Sequence, residues 1–178
     1  MNQTTNLMRW VVNGQHFVDA IQAVKRNCGA PGVDGARAEA LPAYLVQNWE
    51  RIKAELLTGT YTPQPVLGVS IPKPNGGTRK LGIPTVIDRL IQQSIHGVLS
   101  KIWEPDFSAY SFGFRPKRSA HDALRAATGY INSGRQWIID LDLKSFFDRV
   151  NQDKLISLIS RKIEDKFLLG LIRRYLQS

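Results

Sequence analysis

The sequence has a single cysteine, Cys28. A lone thiol excludes a disulfide framework and any zinc site built on cysteines. Cys28 sits just before a turn-forming stretch, so it reads as an ordinary residue there. No apolar run approaches the roughly 18–20 residues that a membrane span requires, and Met1 to Trp10 lacks the charged-then-apolar order of a secretion signal. A cytoplasmic protein without a membrane span is therefore expected. Histidines are few, and His16, His96 and His121 are too dispersed to form a ligand set. Acidic residues are also short, with 15 Asp and Glu against 24 Lys and Arg, for a net charge of +9. The imbalance is local. Residues 61–118 hold eight bases and three acids, whereas residues 119–150 are balanced. That basic stretch is rich in proline and glycine, where no long helix can spread the charge over a solvated face. A concentrated basic segment suits a phosphate-backbone partner.

Apolar residues recur at helical spacing at Leu7, Trp10, Val11, Phe17, Ile21 and Val24, with Gly14 breaking the run into two short helices. Three glycines and a proline within Gly29–Gly35 make a defined loop. Leu41, Tyr44, Leu45, Trp49, Ile52 and Leu56 mark one face of a helix that Gly59 stops. Tyr61–Pro65 is extended because residues before proline avoid the helical region. Val66 to Ile71 and Thr78 to Ile83 read as two strands joined around Asn75-Gly76, a β-hairpin with a basic tip. Pro84 opens a helix carrying Ile87, Leu90, Ile91, Ile95, Val98, Leu99 and Ile102. Asp88, Gln92 and Gln93 on it would serve packing or contact with such a phosphate-backbone partner. A polar, aromatic loop follows, and Ser119 with Asp122 resembles a capping box for a helix to about Ile131. Trp137 to Leu143 reads as a short buried strand, and helices are expected over roughly 152–161 and 165–177.

Within that strand Asp140 and Asp142 fall on one face. Two like charges on one face of an apolar strand are costly unless something positive joins them. A divalent cation satisfies this; so does a helix cap combined with a salt bridge to Arg149. Spacing alone leaves both open.

Four stretches, in order, resemble one family. They are Ile71-Pro72-Lys73-Pro74-Asn75-Gly76-Gly77-Thr78-Arg79-Lys80-Leu81-Gly82-Ile83-Pro84, then Thr85 to Gln93, then Ser111-Phe112-Gly113-Phe114-Arg115-Pro116-Lys117-Arg118-Ser119 to Ala123, and Asp142-Leu143-Lys144-Ser145-Phe146-Phe147-Asp148. Together they resemble group II intron reverse transcriptases. The resemblance implies an α+β fold: the fingers and partial palm of a right-hand polymerase, mostly helical, with a β-hairpin and a short palm strand. It divides the chain into an N-terminal extension with the first fingers helices (1–60), fingers with the basic hairpin (61–135), and the start of the palm (136–178).

The implied function is RNA-directed DNA polymerisation, with assistance to intron splicing as a maturase. Partners would be intron RNA as template, a DNA or RNA primer and a deoxynucleoside triphosphate. Two Mg²⁺ ions would serve phosphoryl transfer. By motif match, Asp142 is the catalytic metal ligand, and Leu143 offers its backbone carbonyl. Phe147 packs under the incoming sugar, Lys73 and Arg79 clamp the triphosphate, and Asp148 is structural. Arg115, Lys117 and Arg118, interleaved with Tyr110, Phe112 and Phe114, would contact template or primer, and the Gly29–Gly35 loop would cover the template. The family's paired aspartates are absent, so the chain alone is not expected to polymerise. Apolar surface left for a palm and thumb would favour a homodimer. The alternatives are a noncatalytic RNA-binding or maturase module, and a retron or CRISPR-associated reverse transcriptase.

Overall fold

The computed structural model describes residues 4–178; the first three residues of the N-terminal segment lie outside them. The elements are α1 (Leu7–Val11), α2 (Gln15–Asn27), α3 (Leu41–Thr58), β1 (Leu67–Pro72), β2 (Thr78–Ile83), α4 (Val86–Trp103), α5 (Ala120–Asn132), α6 (Phe146–Arg149), α7 (Gln152–Ser160) and α8 (Lys166–Gln177), with short 3₁₀ turns at Ala38–Ala40 and Glu104–Asp106. The described residues are thus mostly helical with one two-stranded antiparallel sheet. Two compact units form. One takes in the chain up to Leu99 together with Asn151–Ser178, and the other is Ser100–Val150. Among the described residues no helix is long and apolar enough to cross a membrane.

In the first unit the apolar faces read from the sequence meet as a core. Ala20 and Val24 of α2, Leu41 and Leu45 of α3, and Val86 and Leu90 of α4 pack together, with Phe17, Ile21, Trp49 and Ile87 at the margin. Phe17 and Trp49 stack with ring centroids 4.1 Å apart, an aromatic contact that adds to simple area burial. Gly59 ends α3 in the left-handed region at φ 74°, and its amide bonds back into the last turn, which is where glycine carries least cost. A different contact demands Gly32. A Cβ there would stand 2.8 Å from both Cα and N of Thr85, so only a glycine lets the loop lie on the backbone that starts α4.

Asp165 joins two helix starts. Its Oδ1 accepts from the amides of Phe167 at 3.0 Å and Leu168 at 3.1 Å, and its Oδ2 accepts from the amide of Met8 at 2.8 Å. One buried carboxylate thereby satisfies orphan donors of α8 and of α1. In the second unit α5 begins as expected. Ser119 and Asp122 form the reciprocal capping box, and Gly134 closes the far end at φ 88°.

The strand expected over Trp137–Leu143 does not form. The segment pairs with nothing among the described residues, and its apolar side chains from Trp137 to Leu143 are 70 to 95% exposed. The physical reason is that a strand is completed by its neighbour's hydrogen bonds. Among the described residues no strand pairs with this segment.

Candidate nucleotide and nucleic-acid site

The hairpin holds Lys73 and Arg79 through simple register. Ile71 pairs with Arg79 and Val69 with Leu81. Side chains two apart share a face, so Ile71, Lys73, Arg79 and Leu81 lie on one side and Lys80 on the other. They line, with Pro72, Pro74 and Asn75, a cleft of about 410 Å³. The turn differs from an Asn-Gly two-residue loop. The amide of Gly76 bonds to the Lys73 carbonyl at 3.1 Å, and the amide of Lys73 to the Gly77 carbonyl at 3.0 Å. Pro74 and Asn75 are therefore the central pair, and Gly76 and Gly77 take the positive φ values, 85° and 83°. Proline at the second position presets that turn. The result is two cations beside Ile71 and Leu81 on one face of the ribbon, chemistry suited to a phosphate chain.

In the second unit the loop before α5 is built around Arg115. Its Nε and Nη2 donate to Glu104 Oε1 at 3.0 and 2.7 Å, and its Nη1 donates to the carbonyls of Ser108 at 2.6 Å and Ser111 at 3.0 Å. The guanidinium also lies over Phe107, 5.2 Å from the ring centroid. With a side chain only 8% exposed, Arg115 organises the loop from within. Arg118 donates to the Ala109 carbonyl at 3.2 Å and stands over Phe112. Phe114 and Lys117 both adopt positive φ, 55° and 59°, a conformation that costs a non-glycine residue free energy. Phe114, Tyr110 and Lys117 are all exposed.

Asp140, Asp142, Leu143 and Phe147 lie in the exposed segment 136–149 of this same unit. Ser145 turns the chain at φ 52° into the single turn of α6, where the rings of Phe146 and Phe147 meet edge to face at 5.5 Å. Among the described residues no three His, Cys, Asp or Glu side chains converge as a metal cluster. Asp142 with the Leu143 carbonyl could supply part of a Mg²⁺ shell, since Mg²⁺ accepts one or two carboxylates with phosphates and waters. These residues do not amount to a whole metal site.

A further cleft escaped the sequence reading. Between α2 and α4, Arg26, Asn27, Arg89, Gln92, Gln93 and His96 line a polar cavity of about 510 Å³. Arg89 donates from Nη2 to the Ala30 carbonyl at 2.8 Å, which ties the glycine-rich loop to the rim. Gln92 and Gln93 were visible in sequence as polar residues on the α4 helix. Arg26 and Asn27 give no such signal, because only the packing of α2 on α4 brings them to the same place.

Residues 71–177 match the family model described as "Reverse transcriptase (RNA-dependent DNA polymerase)", and the chain belongs to that family. It is similar to Protein YkfC of Escherichia coli strain K12, 35% identical over 178 residues, covering 97% of this chain and 47% of that protein. It is also 35% identical over 175 residues to the group II intron-encoded protein LtrA of Lactococcus lactis subsp. cremoris, covering 98% of this chain and 29% of LtrA. A shorter match, 35% over 86 residues, links 48% of the chain to 12% of nuclear intron maturase 2 of Arabidopsis thaliana. The likeness to group II intron proteins read from the four stretches is borne out. The chain spans less than half the length of these relatives.

Proposed function

We propose that this chain is the fingers and the start of the palm of a group II intron reverse transcriptase, an RNA-directed DNA polymerase that also assists splicing of its intron as a maturase. The observation that carries the reading is the exposed hairpin with Lys73 and Arg79 on one face, inside a stretch matching the reverse transcriptase family. Residues 1–60 would form the N-terminal extension and first fingers helices, 61–135 the fingers, and 136–178 the palm start. The protein would work in a bacterial cytoplasm.

In this reading Lys73 places a point charge and Arg79 a forked donor against the triphosphate of an incoming nucleotide. Phe147 packs under its sugar and selects against a 2′ hydroxyl. Asp142 and the Leu143 carbonyl hold part of the Mg²⁺ shell, and magnesium, when bound, supplies charge neutralisation at the reacting phosphate. Asp148 remains structural. The intron RNA template runs along basic surface. Arg26 and Arg89 offer their charges to phosphates, and Gln92 and Gln93 offer amides. Lys117 and Arg118 contact template or primer from their own unit, with Tyr110 and Phe114 available for base stacking. Arg115 contributes by holding that loop in shape. The exposed apolar residues of 137–147 supply the surface on which two copies could meet as a homodimer.

The test is a titration of the chain with a fluorescent deoxynucleoside triphosphate in the presence of an RNA template–DNA primer duplex. Each of K73A and R79A removes a charge-assisted bond and should weaken triphosphate binding about 10- to 100-fold, leaving duplex binding within about twofold. Unchanged triphosphate affinity in both variants would refute the hairpin's role. Duplex binding with no triphosphate binding at all would favour a noncatalytic RNA-binding module, for which the α2–α4 cleft is the supporting feature.

A further inference from the structure

The hairpin is exposed along most of both strands. Little packing on its flanks fixes its direction, so its orientation is decided at its root. Both root segments end on one buried carboxylate. Asp88, only 1% exposed, accepts the backbone amide of Gln64 at 3.2 Å, three residues before β1. It accepts the hydroxyl of Thr85 at 2.6 Å, two residues after β2. Its other oxygen accepts the hydroxyls of Tyr61 at 2.8 Å and Tyr175 at 3.0 Å. Tyr61 follows the end of α3 and Tyr175 belongs to α8. Gly32 adds a fifth attachment, because its backbone lies directly against Pro84 and Thr85.

We infer that Asp88 is a positioning residue for nucleotide capture: from α4 it clamps both roots of the hairpin, with the segment that leaves α3, to α8 and so sets where Lys73 and Arg79 stand. This rests on the proposed triphosphate role of the hairpin. Six strand residues carry the tip about 20 Å from the root. A tilt of about 5° there moves the two cations by about 2 Å, more than the tolerance of a charge-assisted hydrogen bond. Burial, then the nearby Asp88 carboxylate, pushes both tyrosine hydroxyls above their ordinary range. They therefore remain protonated donors throughout the pH range in which the protein is handled, and the clamp does not loosen by losing them.

The test uses Tyr175→Phe, which deletes one donor and keeps the ring, with Asp88→Asn as the stronger perturbation. Amide hydrogen exchange is followed peptide by peptide in the whole chain. One lost hydrogen bond at the root should speed exchange over Leu67–Ile83 by about 3- to 10-fold, with α2 unchanged. Triphosphate affinity should fall by a similar factor while duplex affinity holds. Exchange in the hairpin equal to wild type, or acceleration spread evenly over every helix of the unit, would overturn the inference and leave Tyr175 a stabilising contact only. If K73A leaves triphosphate binding at the wild-type level, the capture role itself fails. The exchange pattern is independent of that outcome and still decides whether Asp88 governs the hairpin.

Discussion

Replacing Asp165 with alanine should destabilise the first unit by an amount its hydrogen bonds allow one to work out. The carboxylate accepts three backbone amides, two in the first turn of α8 and one, from Met8, in α1. Loss of an N-cap costs about 1 kcal/mol. Leaving the buried Met8 amide without a partner costs about 1–3 kcal/mol more. The sum, about 2–4 kcal/mol, would lower the melting temperature by about 4–16 °C for a protein of this size. Asp165→Asn separates the two contributions. An amide oxygen can still cap α8, but its NH₂ group faces the Met8 amide donor to donor. The asparagine variant should therefore recover about 1 kcal/mol relative to alanine and remain below wild type. Thermal denaturation followed by far-UV circular dichroism gives both numbers. Equal stability of wild type and D165A would refute the idea that one side chain holds two helix starts. Equal stability of wild type and D165N would show that the Met8 bond contributes nothing.

Arg26 is exposed on the rim of the α2–α4 cleft, so R26A should spare folding, weaken binding of a single-stranded RNA uniformly across sequences and reduce the salt slope by about one phosphate contact; filter binding at several salt concentrations reads this. Gly32→Ala should destabilise the loop–α4 contact, because its Cβ would meet the Thr85 backbone at 2.8 Å; urea denaturation should show a loss of about 1–3 kcal/mol. The capping box of α5 should be acid-sensitive. Hydrogen bonding from Ser119, then from Arg125, holds the Asp122 carboxyl below its ordinary value. A depressed folded-state value means that its contribution is present above the ordinary aspartate range and fades as pH falls through the depressed one. Helical amide protection in Ala120–Asn132 should decline in acid, and Asp122→Asn should flatten that decline.

Much of the fold was legible because its signals are local. Helical spacing with Gly14 and Gly59 as breaks located α1 to α3, the Ser119–Asp122 pair located the start of α5, and the β1–β2 ribbon followed from alternation around a turn. Lys73 and Arg79 were named by the family resemblance, and it is the observed turn around Pro74 and Asn75, rather than one around Asn75-Gly76, that puts them on one face. What escaped was set by partners far away in sequence. The Trp137–Leu143 run has the composition of a buried strand, yet strands are completed by neighbours and the described residues provide none. Arg115 read in sequence as a template or primer contact, but Glu104 and three nearby carbonyls, including that of Glu104 itself, take up its donors. Asp88 and Asp165 look in sequence like ordinary acids on or near a helix. Their roles depend on Tyr175 and Met8, 87 and 157 residues away.

The account turns most directly on primer extension along an RNA template, by a protein in which these residues are joined to a complete palm, compared between wild type and Asp142→Ala. The wild-type protein should extend the primer in Mg²⁺. The variant should lose extension by about a thousandfold or more while binding the duplex normally, as expected when a metal-binding carboxylate is removed from a phosphoryl-transfer site. Extension that survives D142A at the wild-type rate would contradict the assignment of Asp142 and, with it, the reading of residues 136–178 as the start of a polymerase palm.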